Sequence, residues 1–365
     1  MRIALVAPLV TPIAQPYAGG AQAMLADLAQ GLVRRGHAVT LFARATSFVP
    51  EVTIEQIVVP VSVLPASFAE PAQTRSADVG FFAQATIFLD LFLRLQQRHN
   101  EFDVIHAHAF DWPAFACGAV VQAVPVLHTI HLPAVSPEIN DVLRVLAQQA
   151  HRHTLITVSQ ACRATYKPYT TIDQVIYNGL DLLTIPFAAS PPADAPLLFA
   201  GRITPEKGVE AAIEIAEQAG RALLIAGGIY DPVYYQERIL PRIQRAGKRV
   251  TYLGQLERST LWQVMGQSLG LLFPIEWDEP FGLTPVEAMA TGTPVIAYRR
   301  GAVAEIIRHG ETGFLVEPRD VSRAAAYVDQ LGSITRVQCR LHVEQHFSLA
   351  RMLDAYENVY ASVLA

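Results

Sequence analysis

Nine consecutive residues, Glu279-Pro280-Phe281-Gly282-Leu283-Thr284-Pro285-Val286-Glu287, hold the chain's densest chemistry. Thr284, Pro285 and Glu287 read as a helix start. Thr284 stands at the N-cap, the proline sits in the first turn where its missing N–H costs nothing, and Glu287 closes a capping box. Phe281, Gly282 and Leu283 then present backbone N–H groups at the positive end of that helix, an anion site that needs no side chain. Glu279, just ahead of the turn, is a carboxylate within reach of hydroxyl groups on the bound anion. Capping alone explains Glu287 but leaves Glu279 and Gly282 unaccounted for.

A second group is Gly201-Arg202-Ile203-Thr204-Pro205-Glu206-Lys207-Gly208, directly after the apolar run Leu197–Ala200. The planar fork of Arg202 and the point charge of Lys207 suit a diphosphate. The alternative is a surface turn in which Thr204 caps the next helix and Lys207 pairs with Glu206 or Glu210. Gly19-Gly20, ahead of a helical stretch, lets backbone approach a ligand, although no G-x-G-x-x-G fingerprint follows the first apolar run. His106 and His108 end one run; His128 and His131 follow the next. Their spacing matches no zinc pattern and no cysteine joins them, so no metal is expected. His128 reads as a strand-end imidazole offering a hydrogen bond to a sugar hydroxyl, with a satisfied core histidine as the alternative. Asn178-Gly179-Leu180-Asp181 reads as a turn leaving the first domain.

The elements that position these groups alternate from end to end. Ile3–Ala7, Ala38–Ala43, Ile54–Pro60, Val104–Ala107, Val124–His128 and Leu155–Val158 read as strands, with helices such as Ala21–Arg35 and Phe81–Arg98 between them. The pattern pauses over Thr184–Pro196, which carries Pro186, Pro191, Pro192 and Pro196, and resumes with Leu197–Ala200, Ala222–Ala226, Val250–Leu253, Leu271–Phe273, Val295–Tyr298 and Phe314–Val316. Continuous apolar strands separated by helices predict parallel sheets covered on both faces. The fold class is therefore α/β, two doubly wound Rossmann-like domains facing an interdomain cleft. The expected division is an N-terminal domain over 1–183, a linker over 184–196, and a C-terminal domain over 197–348. A terminal helix over 349–365 shows Met352, Leu353, Tyr356, Val359 and Tyr360 on its apolar side.

Composition narrows the partners. The 365 residues are 51% apolar, enough for two cores. A formal net charge of -5 gives no reason to expect nucleic acid. Three distant cysteines, Cys117, Cys162 and Cys339, suggest neither a disulfide framework nor a zinc site, and fit a cytoplasmic setting. Pro8 and Pro12 interrupt the N-terminal apolar run, which reads as a strand rather than a signal peptide. Phe81–Leu95 is broken by Gln84, Asp90 and Arg94, so no transmembrane segment is expected; peripheral membrane contact stays open.

With these motifs in this order, the chain resembles the retaining glycosyltransferases of family 4 over nearly its whole length. The likeness rests on Gly19 and Gly20, His128-Thr129, Ile176 to Asp181, Gly201-Arg202 with Pro205 to Gly208, and Glu279 to Leu283 with Glu287-Ala288 and Gly292 to Val295. The two glutamates stand at the E-x7-E spacing. The resemblance implies the GT-B fold and a nucleoside-diphosphate sugar held mainly by the C-terminal domain. Arg202 and Lys207 fall on the pyrophosphate, Glu287 on the ribose, Glu279 and His128 on the sugar. Gly227, Gly228, Leu253 and Gly254 fall around the nucleobase; Gly19, Gly20, Phe281, Gly282, Leu283 and Thr284 complete the donor site, which domain closure would finish. UDP-glucose is the default donor by family frequency. The acceptor is a small molecule, glycan or lipid-linked hydroxyl, set against loops Thr11–Gly20, Ala43–Pro50, Ala66–Gly80 and Leu132–Asn140. No cofactor or metal is expected, because no Asp-x-Asp occurs. The competing readings are a nucleotide-sugar hydrolase or epimerase of the same fold, and a non-catalytic nucleotide-sugar-binding protein.

Overall fold

A computed structural model of the chain describes residues 1–17, 19–59, 77–149 and 153–365. They form two compact units, Met1–Gly179 with Leu349–Ala365, and Leu180–Ser348.

The first unit is built on β1 (Arg2–Val6), β2 (Ala38–Arg44), β3 (Thr53–Ile57), β4 (Val104–Ala107), β5 (Val126–Ile130), β6 (Thr154–Thr157) and β7 (Gln174–Val175), in the order β3-β2-β1-β4-β5-β6-β7. Every pairing is parallel. β4 and β5 are buried along their whole length, which is why they read as unbroken apolar runs rather than alternating ones. Chain order reverses between β1 and β4, so the loops after these strands part and leave a crevice at their carboxyl ends. Pro60 of the expected third strand and residues 66–76 of the expected acceptor loops lie outside the described residues.

β5 departs from the sequence reading. Pro125 has no N–H to give to a ladder, although its carbonyl accepts from Ile105 N at 3.0 Å. The strand therefore starts at Val126 and runs on to Ile130, so His128 sits mid-strand instead of ending it.

The terminal helix Leu349–Leu364 belongs to this unit and buries Met352, Leu353, Tyr356, Val359 and Tyr360. It lies on the helix Gly20–Arg34 so closely that a Cβ at Gly31 would come within 2.7 Å of Leu353 Cδ1. Arg35 bonds Asp354 and Glu357 at its edge. Beneath it the polar groups form a network: Tyr360 OH lies 2.7 Å from His106 Nδ1, His106 Nε2 is 2.8 Å from Thr129 Oγ1, and Thr129 Oγ1 is 3.1 Å from Tyr356 OH.

The second unit carries β8 (Leu197–Ala200), β9 (Leu223–Ala226), β10 (Val250–Gly254), β11 (Gly270–Phe273), β12 (Val295–Tyr298) and β13 (Gly313–Val316), in the order β10-β9-β8-β11-β12-β13, again all parallel. Its reversal falls between β8 and β11. The proline-rich segment expected as a linker is part of this unit. Ile185 is buried, Ala188 N donates to Thr291 O at 3.0 Å, and the Arg340 guanidinium binds the carbonyls of Leu182 and Ile185. Those bonds satisfy backbone that a free linker would leave to water. The division consequently falls at Gly179/Leu180, inside the turn read from Asn178 to Asp181.

Among the described residues five histidines of the first unit are buried: His106, His108, His128, His131 and His153. Removal from water disfavours the imidazolium, pushing His106 down to about 3 and His131 and His153 down to about 4, with His108 and His128 well below the ordinary value. All five are neutral in the fold, whereas each takes up a proton near pH 6.5 once unfolded. Their stabilising contribution is thus complete above pH 6.5 and falls as pH drops toward 4. Melting followed by circular dichroism from pH 7.5 to 4.5 should show a steep fall below pH 6.5. A melting temperature that stays level to pH 5 is the contrary result.

Candidate active site

β8 and β11 are neighbours running the same way, so the loops that leave their carboxyl ends, 201–208 and 274–282, stand side by side. Glu276 N donates to Glu206 O at 2.8 Å and ties them together. Gly208, at φ 76°, permits the contact: a Cβ there would lie 1.9 Å from Pro274 O, which no other residue tolerates. Immediately beside it Lys207 Nζ reaches Glu279 Oε2 at 2.8 Å, and Trp277 Nε1 donates to the same oxygen at 2.8 Å. The ammonium also lies 5.1 Å from the Trp277 ring centroid. Both partners of the ion pair are largely shielded, at 14% and 13% side-chain exposure, so the pair is less screened than a surface one. The structure thus joins Lys207 to Glu279, in place of the neighbouring Glu206 or Glu210 that a plain surface turn would supply.

Arg202 lies on the same loop, with its guanidinium 5.5 Å from the Tyr230 ring and 3.7 Å from Glu206 Oε1. Thr204 does not cap; its hydroxyl donates to Glu206 Oε1 at 2.7 Å. Ile203 N donates to Gly228 O, Gly227 N to Gly254 O, and Tyr252 OH to Gly227 O. Of the four positions expected around a nucleobase, Gly227 and Gly228 therefore follow β9 and Leu253 and Gly254 end β10, beside the loop that carries Arg202.

The helix after Gly282 corrects the capping reading. It spans Leu283–Ala290 with Gly282 as N-cap in the left-handed region and no side-chain cap bond. Thr284 is its second residue and forms no capping box, and Phe281 is buried against Phe347. The uncapped first turn keeps the anion-binding character expected of it. Glu287, freed from capping, accepts from Arg258 Nε at 2.9 Å and Trp262 Nε1 at 3.3 Å.

On the first unit, His128 is fully buried, its Nε2 2.9 Å from His153 Nδ1 and its ring against Phe115. The expected ligand-facing imidazole at 128 is therefore a core histidine. Continuation of β5 to Ile130 places His131 at the strand's end instead, where its Nε2 meets His108 Nδ1 at 3.0 Å. Gly19 caps the helix Gly20–Arg34 in extended backbone, φ -167°, without a side-chain cap bond; its use is room for close approach, not a special φ. Among the described residues no three His, Cys, Asp or Glu side chains are grouped to hold a metal ion.

Sequence reasoning missed Trp277, and it missed Gly301 and Asp111 as well. Gly301 at φ 53° lies against the Glu279 backbone: a Cβ there would be 2.3 Å from Glu279 O and 2.5 Å from Glu279 N, while Ala302 N donates to Glu279 O at 2.9 Å. Nothing in the run Arg299-Arg300-Gly301 points to a residue more than twenty positions earlier. Asp111, just beyond β4, accepts from Gln84 Nε2 at 2.7 Å, and burial pushes its carboxyl up to about 6. Its signal was its place after a buried strand beside Trp112.

A family model described as Glycosyl transferases group 1 matches residues 186–340, and one described as Glycosyltransferase Family 4 matches residues 18–182. The chain belongs to the family 4, group 1 glycosyltransferases. This family 4 chain is 33% identical over 251 residues to a glycogen synthase of Mycobacterium tuberculosis, a match covering 62% of this chain and only 59% of the relative. It is 28% identical to a D-inositol 3-phosphate glycosyltransferase of Mycolicibacterium smegmatis, over 100% of this chain and 92% of the other. Among solved structures it resembles sucrose-phosphate synthase from Thermosynechococcus elongatus (TM-score 0.81, 22% identity, 100% and 99% of the two chains). It also resembles Anabaena HepE in complex with UDP (TM-score 0.76, 21% identity, 99% and 100%). These likenesses carry the GT-B fold, two parallel-sheet Rossmann-like domains. No helix among the described residues is long and apolar enough to cross a membrane.

Gly301→Ala should force the Glu279 backbone to move, costing about 1–3 kcal/mol of stability. Differential scanning fluorimetry of the variant beside the wild type reads the loss. An unaltered melting temperature removes Gly301 from the positioning of Glu279.

Proposed function

We propose that this family 4 protein transfers a hexose from a nucleoside-diphosphate sugar, with UDP-glucose as the donor to test first, to a hydroxyl acceptor with retention at the anomeric carbon. The observation that carries the reading is the Lys207–Glu279 pair across the β8/β11 crevice, beside the uncapped helix at Gly282. An entering diphosphate would compete for Lys207, and the released carboxylate of Glu279 would accept from sugar hydroxyls. Arg202, Lys207 and the helix N-terminus would then meet the negative charge that grows on the departing diphosphate. Those cations make a dedicated metal unnecessary in this scheme. Anabaena HepE forms crystalline complexes with UDP and with UDP-glucose, which supports the choice of first donor.

Attack is proposed from the donor's leaving-group face. The acceptor oxygen bonds to the anomeric carbon as the bond to the diphosphate oxygen breaks, and the acceptor's proton passes to that oxygen. No covalent enzyme intermediate forms. The first unit would take the acceptor near the carboxyl ends of β1 and β4, by Gly19, Gly20, Asp111 and His131, with His128 behind them in the core.

Incubation with a panel of nucleotide sugars, scored by thermal shift and then by turnover, tests the reading. Arg202→Ala and Lys207→Ala should each lose about 2–4 kcal/mol of transition-state stabilisation, roughly a hundred- to thousandfold in rate. Unchanged turnover in both variants excludes them from the mechanism. A glycosyl adduct on Glu279 seen by mass spectrometry contradicts the one-step attack, and donor consumption without acceptor points to a hydrolase.

A further inference from the structure

Glu287 is held by two residues that neither the sequence motifs nor the scheme above employs. Arg258 opens the helix Arg258–Gln267, and Trp262 lies one turn further on. The guanidinium stacks on the indole, 4.9 Å from its centroid, so the two side chains form one rigid plate. Arg258 Nε and Trp262 Nε1 both donate to Glu287 Oε1, at 2.9 and 3.3 Å. Both bonds fall on that one oxygen, and Oε2 accepts from no described residue. Trp262 is buried, and Arg258 and Glu287 keep only 16% and 11% of their side-chain exposure. A carboxylate gripped by one oxygen and charge-compensated cannot rotate without breaking a buried ion pair, which is costly. Its second oxygen is therefore aimed.

We infer that Arg258 and Trp262 are positioning residues that orient Glu287 Oε2 toward a vicinal diol, so that unit 2 selects ribonucleotides over 2′-deoxyribonucleotides. The inference rests on the nucleotide-sugar reading of this unit. A ribose offers two adjacent hydroxyl donors to an acceptor-only carboxylate, and a deoxyribose offers one. A fixed carboxylate loses a charge-assisted bond with the deoxy ligand, whereas a mobile one would adjust to the hydroxyl that remains. Selectivity thus depends on the grip as well as on the carboxylate.

Calorimetry with UDP, ADP and GDP, each beside its 2′-deoxy form, tests this on the full chain. The wild type should bind its preferred diphosphate about tenfold or more tightly than the deoxy counterpart, the scale of one charged hydrogen bond. Arg258→Ala and Trp262→Phe should each narrow that ratio toward one, chiefly by weakening the ribonucleotide, and Glu287→Gln should abolish it. Trp262→Phe keeps an aromatic face for Arg258 and removes the indole donor, so a loss of fold in Arg258→Ala leaves the question answerable. A ratio unchanged in Trp262→Phe and in folded Arg258→Ala, but lost in Glu287→Gln, overturns the positioning role while leaving the ribose contact standing. Equal weakening of both nucleotides by Arg258→Ala also overturns it, assigning that residue to the phosphates. If the wild type binds none of the six, the nucleotide-sugar reading itself fails.

Discussion

The second unit is organised around a single ion pair. Lys207 and Glu279 come from loops that follow different strands, seventy-two positions apart, and meet at 2.8 Å because β8 and β11 are neighbours in the sheet. Such a pair is costly to bury unless its remaining bonding capacity is used. Here Trp277 supplies both a donor to Glu279 and a ring face to Lys207. Gly208 and Gly301 remove the Cβ atoms that would otherwise hold the backbones apart. The glycines, the tryptophan and the strand order are thus conditions for one contact, and that contact places a cation and a carboxylate at the crevice where doubly wound sheets bind ligands.

Much of this was legible in the residues. Strands buried on both faces announce themselves as apolar runs, so β4, β8 and β12 fall at the expected residues and the α/β class follows. Arg202, Lys207 and Glu279 stood out because charges beside glycine and proline at strand ends are hard to explain by packing. What escaped depended on tertiary contacts. Thr284 carries every local mark of an N-cap, yet Gly282 begins the helix, because the chain must turn through a left-handed residue with Phe281 anchored in the core. The two compact units divide ahead of the prolines, where Arg340, far along the chain, binds the carbonyls of Leu182 and Ile185. Gly301 and the Arg258–Trp262 plate act on residues of a neighbouring element, with no local signature.

The histidines show the same limit in another form. Spacing offered four imidazoles near two strand ends, and only the register of β5 decides which of them reaches an end. Pro125 delays the strand, His128 turns inward to His153, and His131 takes the terminal position. Burial then keeps all of them neutral, so they act as paired donors and acceptors rather than charges. The arrangement has a structural use: His106 and Thr129 give Tyr356 and Tyr360 of the terminal helix partners inside the core. The helix that ends the chain is thereby fixed to the two strands beside the first unit's crevice. A buried polar network tolerates little misplacement, since each unmet bond costs more than a met one returns. His106, one of the imidazoles that make this unit sensitive to acid, therefore also helps to specify where its last helix lies.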